Sequence, residues 1–326
     1  MISVPPPDPE LAGLPAQGLT IEVPASQDPA RLDQFISHNT GLGRGQARRL
    51  IEFGSVWVNG RVCRVQSRML YPLDRVALYA PYYGTRRFYE IDPARILFQD
   101  RWLLAYDKEA GIPSQPVPYD AHNNLYAALV RHMGPGGYLG LHHRLDRLAS
   151  GVMLFAVNRS VNAAIGEIFS AGDLKKIYLA VVAGRPAAGT WTEDRPVAKR
   201  KGSYFLPPDG LGKPARTDFE VLARGRDRSL VRARPWTGRT HQIRLHLQAA
   251  GHPILGDEEH QGPPAERLML HAASLDLTHP KTGKALLIEA PSPAGFQIEE
   301  AAGEAGRAGG TLFGQKGFPQ TPSQKL

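Results

Sequence analysis

Cysteine is all but missing from this chain: 326 residues carry one, Cys63. That excludes an internal disulfide, a cysteine-based zinc site and a C-x-x-C redox pair, and leaves Cys63 as a small, half-buried filler. Long apolar runs are missing too. Stretches such as 151–157 fall far below the roughly 18 residues that would cross a membrane as a helix, and the opening MISVPPPDPE has neither the basic end nor the apolar segment of a secretory leader. A cytoplasmic protein with no membrane partner is expected. No H-E-x-x-H occurs, His142 and His143 are adjacent, and His241 and His246 lie five apart, so no histidine pair has the helical spacing of a metal hydrolase. Glycine motifs for a nucleotide cofactor are absent as well.

Negative charge is in short supply. Asp and Glu number 31 against 39 Lys and Arg, giving a formal charge of +8 and a sequence pI near 9.6, a balance that favours a polyanionic partner. Part of the excess is concentrated: residues 31–80 hold eight arginines, no lysine and three acidic groups, Asp33, Glu52 and Asp74. A phosphate-tracking face is the reading. The length leans toward two domains, and 42% hydrophobic content is ordinary for a globular chain.

Residues 1–27 are Pro-rich without periodic apolar positions and read as a flexible leader. Asp28-Pro29 has the form of a helix N-cap and first turn, and Leu32, Phe35 and Ile36 recur at helical spacing. A second helix is predicted over 45–53, with Ala47, Leu50 and Ile51 inward, Gly54 as its stop, and Arg44, Arg48 and Arg49 left to face solvent or phosphate. Residues 56–58 then lead into Asn59-Gly60, the pair that most favours a type I′ hairpin. Helix, basic helix and strand into an NG turn, carried by RLDQFISHN, ARRLIEFGSVWVNGR and YPLDRVAL, resembles the S4 RNA-binding fold. A solvated basic face without a ligand is the alternative.

Residues 81–93 read as a linker. An apolar strand pattern over 96–106 ends at Asp107-Lys108, and 152–157 reads as a central strand. Ser160 can cap a helix whose buried face is Val161, Ala164, Ile165, Ile168 and Phe169. Residues 176–182 alternate as a strand, with Tyr178 on the side opposite Ile177, Leu179 and Val181. A hairpin is predicted from 216–223 and 230–235, followed by a helix capped by Thr240. On that helix His241, Arg244 and Gln248 share one side, while Ile243 and Leu247 pack. From 299 onward a disordered tail is expected.

The segment LHHRLDRLASGVMLFAVN, residues 141–158, sets the carboxylate of Asp146 between Arg144 and Arg147, with Gly151 permitting a tight entry into the apolar run that follows. HRLDRLASG resembles the H-R-L-D-x-x-T-S-G signature of RluA-class RNA pseudouridine synthases, with Ala149 where that signature carries Thr. KKIYLAVVAG, GRTHQIRLHL, GHPILGD and RLMLHA follow in the order of that family. The resemblance spans about 97–293, and the S4-like segment before it matches the arrangement of the members acting on large ribosomal RNA. It implies an α+β catalytic domain over 94–298, built on a mixed, mostly antiparallel sheet with flanking helices, behind a small S4-like α+β domain over 28–80.

The implied reaction converts specific RNA uridines to pseudouridine: the bond from uracil N1 to ribose C1′ breaks, the base turns, and C1′ joins C5. No cofactor and no metal are called for, and a monomer acting on RNA, ribosomal rather than transfer, is expected. By resemblance Asp146 is the essential carboxylate, paired and aimed by Arg244, and Tyr178 is the tyrosine that stacks on the base. Arg144 matches the arginine that places the flipped nucleotide, with support of the loop beside Asp146 as its competing role, and Leu270 matches the apolar residue against the base, with an ordinary strand leucine in the core as the alternative. LLAYDKEAGIPSQP is similar to the N-K-P-A-G loop of the family, with Glu109 for Pro, and Lys108 is read either as a phosphate contact or as a surface lysine. His143 and His241 are expected to hydrogen-bond backbone near the cleft. A non-catalytic RNA-binding or ribosome-assembly protein that keeps the fold is the alternative.

Overall fold

The computed structural model describes residues 19–63, 65–78, 89–117, 123–171, 174–200 and 202–298. The expected tail, most of the expected linker and residues 1–18 of the expected leader lie outside these residues.

The N-terminal part comprises β1 (Leu19–Glu22), β2 (Ala30–Arg31), α1 (Leu32–Thr40), α2 (Arg44–Phe53), β3 (Val56–Val58), β4 (Arg61–Val62), β5 (Met69–Leu70) and β6 (Arg75–Leu78). Leu32, Phe35 and Ile36 are buried against Ala47, Leu50 and Ile51, so the two apolar stripes read from spacing do face each other. Asn59 and Gly60 both have positive φ, 52° and 74°, as the I′ turn between β3 and β4 requires. Three expectations change. Residues 19–22, placed in a flexible leader, form a strand antiparallel to β6 with Ile21 opposite Val76. The first helix begins after Arg31 rather than at Asp28, because 30–31 pairs with 69–70 instead. Arg44 and Arg48 do not face solvent alone: with Arg31 they surround the fully buried Asp33 at 3.3, 3.0 and 3.1 Å.

Burial works against the Asp33 charge, but the hydrogen bonds from Arg31, Arg48 and Arg44 outweigh it and hold the carboxyl well below the usual range. A depressed folded pKa means the unfolded chain takes up its proton first. The Asp33 contribution is therefore full above about pH 4 and fades as pH falls below it. Asp33→Asn is expected to remove that part of the acid sensitivity, measured by urea titrations across this range; an unchanged pH profile would show that the cluster contributes nothing.

The rest of the described chain is organised on one ten-stranded sheet. Its strands are β7 (Ile96–Gln99), β8 (Leu103–Lys108), β9 (Gly140–Leu141), β10 (Ser150–Ala156), β11 (Lys175–Ala183), β12 (Thr190–Glu193), β15 (Thr217–Arg224), β16 (Arg228–Pro235), β17 (Leu270–Thr278) and β18 (Ala285–Glu289); β13 (Ala198–Arg200) and β14 (Ser203–Phe205) form a separate hairpin. The main path runs β12-β15-β16-β11-β17-β10-β8-β7, with β18 beside β17 and β9 beside β10. Every pairing is antiparallel except β10 with β17. This is the expected mixed, mostly antiparallel α+β architecture.

Strand β10 is buried along its whole length, and its alternation divides the core. Val152, Leu154 and Ala156 meet Val161 and Ile165, just before and on α4 (Asn162–Ala171). Met153 and Phe155 face the opposite way, onto Leu125 and Leu129 of α3 (Leu125–Met133). Asn158, not Ser160, caps the turn into α4, accepting from the Ser160 amide. The pattern over 96–106 is two strands, since Asp100 accepts from the amides of Trp102 and Leu103 and turns the chain back. Gly151 sits at φ 113° where β10 meets β17, and a Cβ there would run into the Ala272 carbonyl. The parallel contact that brings the loop before β10 over the sheet therefore requires glycine.

Candidate active site

The loop between β9 and β10 is pinned at both ends before it presents Asp146. Ser114 Oγ donates to the Leu145 carbonyl at 2.8 Å and accepts from the Leu145 amide at 3.0 Å. Beyond Asp146, Lys108 Nζ is completely buried and donates to the carbonyls of Ala149 (2.6 Å), Glu109, Ile112 (both 2.8 Å) and Arg147 (3.3 Å). Neither expected role for Lys108, phosphate contact or surface lysine, holds: it is a clamp beneath the loop. Burial pushes its pKa down to about 7, while the charges of Glu109 and Asp146 oppose that and the carbonyl oxygens favour the ammonium form. Lys108→Met is expected to cost about 2–4 kcal/mol, because buried carbonyls lose their donor, and to lower kcat more than it raises KM by loosening the loop. Urea titration and steady-state kinetics measure the two; wild-type values would remove the clamp from consideration.

His143 behaves as expected, accepting from the Leu154 amide at 2.9 Å and stacking on Phe169. Burial keeps it neutral, with its pKa pushed down to about 3. Ala149 is buried in the apolar core, and its methyl stands where the signature has a hydroxyl.

Asp146 receives Arg244, but Arg244 is anchored elsewhere. Arg244 lies on α5 (Gln242–Ala249), its side chain 6% exposed. Its Nε and Nη2 donate to the two oxygens of Asp257 at 2.7 and 2.6 Å, and Nη2 also reaches Glu259 at 3.0 Å. Nη1 is left to donate to Asp146 Oδ2 at 3.2 Å. Burial opposes the guanidinium charge, yet Asp257 and then Asp146 outweigh it and raise the Arg244 pKa above its usual value. A planar fork held on one edge by a buried carboxylate has a fixed direction on the other. Asp146 itself keeps a quarter of its side chain exposed and faces a cleft of about 820 Å³ lined also by Arg144, Arg147, His241 and Leu268.

The other expected site residues divide. Arg144 lies on the cleft wall, but bonds Thr240 Oγ1 at 3.3 Å rather than Asp146. Tyr178 sits on β11 at the edge of two core clusters and, like Leu270, is not among the residues lining the cleft; burial and then the Asp146 charge push its phenol up. Leu270 does not reach the cleft: it is buried in the core opposite Ala180, and Leu268, two residues earlier, lines the cleft instead. Thr240 does not cap α5. His241 occupies that position in the left-handed region at φ 58° and bonds His260 at 3.0 Å, not backbone.

Asp257, the partner that fixes Arg244, is not singled out by the sequence, although GHPILGD ends on it. Nothing in the local pattern separates its carboxylate from a turn-capping one, a role it also fills by accepting from the His260 amide. His241, Glu259 and His260 bring one potential metal-ligand atom each within 4.8 Å of the others. Helical spacing cannot reveal that group, because two of its members come from another segment.

The family model described as RNA pseudouridylate synthase matches residues 102–249, and the S4 domain model matches 30–76. An uncharacterized RNA pseudouridine synthase of Chloroflexus aurantiacus is 35% identical over 304 residues, covering 89% of this chain and 95% of that protein. Ribosomal large subunit pseudouridine synthase C of Escherichia coli is 31% identical, covering 85% and 94%. Among solved structures, human RNA pseudouridylate synthase domain containing 1 aligns with a TM-score of 0.52 at 26% identity, over 63% of this chain and 87% of that one. With Asp146 and its arginine standing in the matched region, the chain belongs to the RNA pseudouridine synthase family and carries an S4 domain ahead of the synthase segment.

Proposed function

We propose that this protein isomerises uridine to pseudouridine in large-subunit ribosomal RNA, with Asp146 as the essential carboxylate, Arg244 holding it in position and Tyr178 against the base. The observation that carries the proposal is the placement of Asp146: partly open to a cleft, and bonded by a guanidinium whose other edge is locked. Such a carboxylate can act on the ribose or the base of a nucleotide turned out of its stack, an eversion costing a few kcal/mol. Breaking N1–C1′ and forming C5–C1′ then moves one proton from C5 to N1, with no net change in atoms or electrons. A phenol is protonated at neutral pH and burial raises the Tyr178 pKa further, so the side chain suits stacking and keeps its proton rather than taking one from C5. Arg144 on the cleft wall is available to a phosphate or to the everted nucleotide.

In the same proposal residues 28–80, together with the 19–22 strand, hold RNA, residues 94–298 carry the chemistry, and 81–93 join them in a monomer working in the cytoplasm. Arg44, Arg48 and Arg49 stand exposed on α2, and the side chains of the first two stay nearly half exposed while paired with Asp33. Arg49→Gln is expected to reduce the slope of log affinity against log salt by about 0.7–0.9 if it meets one phosphate. An unaltered slope in filter-binding or anisotropy titrations would take Arg49 off the RNA. Mapping pseudouridines in total RNA with and without the protein tests the function: one or more sites in large-subunit RNA should vanish. A complete map in its absence would favour the binding-only alternative.

A further inference from the structure

On the wall of the cleft, beside the groups assigned to the isomerisation, lies a set of donors that the reaction does not use. His241 Nδ1 is 3.0 Å from His260 Nε2 and 3.4 Å from Glu259 Oε1. Donor atoms bound to one tetrahedral ion at about 2.0–2.1 Å stand roughly 3.3–3.4 Å apart; these two separations lie close to that, and all three donor atoms fall within 4.8 Å of one another. The rings of His241 and His260 meet edge to face, at 78°, and a hydrogen bond between Nδ1 and Nε2 needs one of the two nitrogens to carry the proton between them. The other oxygen of Glu259 is taken by Arg244 at 3.0 Å, which orients the carboxylate and leaves Oε1 toward the histidines.

The backbone holding these donors is fixed. Glu259 and His260 belong to a 3-10 turn capped by Asp257, and His241 occupies a left-handed position just before α5. Around them three carboxylates, Asp146, Asp257 and Glu259, face the one guanidinium of Arg244, so a cation enters a locally negative site. His241 and Glu259 line the cleft while His260 stands behind them, which leaves the fourth position of a bound ion open to the cleft.

We propose that His241, Glu259 and His260 form a site for a divalent transition-metal ion of the zinc class, and that its occupation shuts down the cleft. Binding replaces the proton shared by the two imidazoles. With the ion on Nδ1, the remaining ring proton of His241 must sit on Nε2, which is 4.0 Å from Asp146 Oδ2. The ring then turns a fixed N–H toward the carboxylate that must act on the nucleotide, and the ion with its open position obstructs the wall. The ion is an inhibitor in this scheme and takes no part in the chemistry. Its effect on activity rests on the isomerase reading above, whereas the binding site does not.

The test uses the full chain with Co2+ and Zn2+ as probes. Co2+ titration should saturate at one ion per chain with the intense visible absorption of four-coordinate cobalt, weakened at least about tenfold in affinity by His260→Ala or Glu259→Gln and unchanged by His252→Ala. Zn2+ should suppress pseudouridine formation in the wild type, and His260→Ala, scored against its own metal-free rate, should need about tenfold more. Circular dichroism identifies a variant that has not folded, in which case the other variant decides. Equal Co2+ affinity in wild type and folded variants, or no four-coordinate absorption, overturns the site; stoichiometric binding with equal Zn2+ sensitivity overturns the inhibition. A wild type that binds Co2+ but forms no pseudouridine on any RNA counts against the isomerase reading and leaves the metal site standing.

Discussion

Asp146→Asn is expected to abolish pseudouridine formation, on the order of 10⁴-fold or more, a scale typical of removing the group that acts on the substrate. The substitution keeps the shape of the side chain and an oxygen that can still accept from Arg244, so packing should survive. Arg244 loses the charge of one partner but retains both bonds to Asp257 and the one to Glu259. With a quarter of the Asp146 side chain exposed, stability should change by less than about 1 kcal/mol. RNA affinity should hold or rise slightly, since a negative charge has left a site that accepts a polyanion. Single-turnover assays with a tritium-release or mass-spectrometric readout, run beside binding titrations, separate the outcomes. Product at more than a few percent of the wild-type rate would remove Asp146 from its role; loss of binding together with product would mean the residue holds RNA and does no chemistry.

Sequence patterns determine the structure most directly where one short segment decides it. Asn59-Gly60 made its turn because two successive positive φ angles suit few other residue pairs. The stripes on the first two helices found each other because apolar periodicity leaves one buried face. Pairings between distant segments were not legible in the same way. Lys108 looked like a surface charge because a lysine followed by Glu and Ala carries no mark of burial; only the convergence of 109–112 with 147–149 supplies the carbonyls that hold it. Asp33 is likewise one of three acids in a basic segment, and only the fold brings Arg44 and Arg48 round to it on the next helix. Leu270 and Leu268 show the limit of a period-two rule. Both are apolar in RLMLHA, and which one meets the cleft depends on where β17 begins, a boundary that sequence places only within a few residues. Asp146 and Arg244 were legible as a pair only through resemblance, since 98 positions separate them.

Arg244→Met is expected to injure both stability and activity, and the two injuries can be separated. The Asp257 side chain is 1% exposed and would lose both bonds to the guanidinium while keeping little beyond the His260 amide. An uncompensated buried carboxylate costs about 3–5 kcal/mol, so the urea midpoint should fall sharply. Asp146, more exposed and losing one bond, adds little to that cost, but its orientation is no longer fixed. A misplacement near 1 Å lowers rates by about 10²-fold, and kcat should drop by at least that much with KM moving less. Arg244→Lys keeps the charge but replaces a fork by a point; one ammonium cannot serve both oxygens of Asp257 and reach Asp146, so stability should recover in part while activity stays low. Arg244→Met combined with Asp257→Leu removes the buried pair altogether, and replacing a buried ion pair by apolar groups is often neutral. The double variant should therefore regain most of the stability and none of the activity. If activity returned along with stability, Arg244 would be a structural support only, and the carboxylate of Asp146 would find its direction without it.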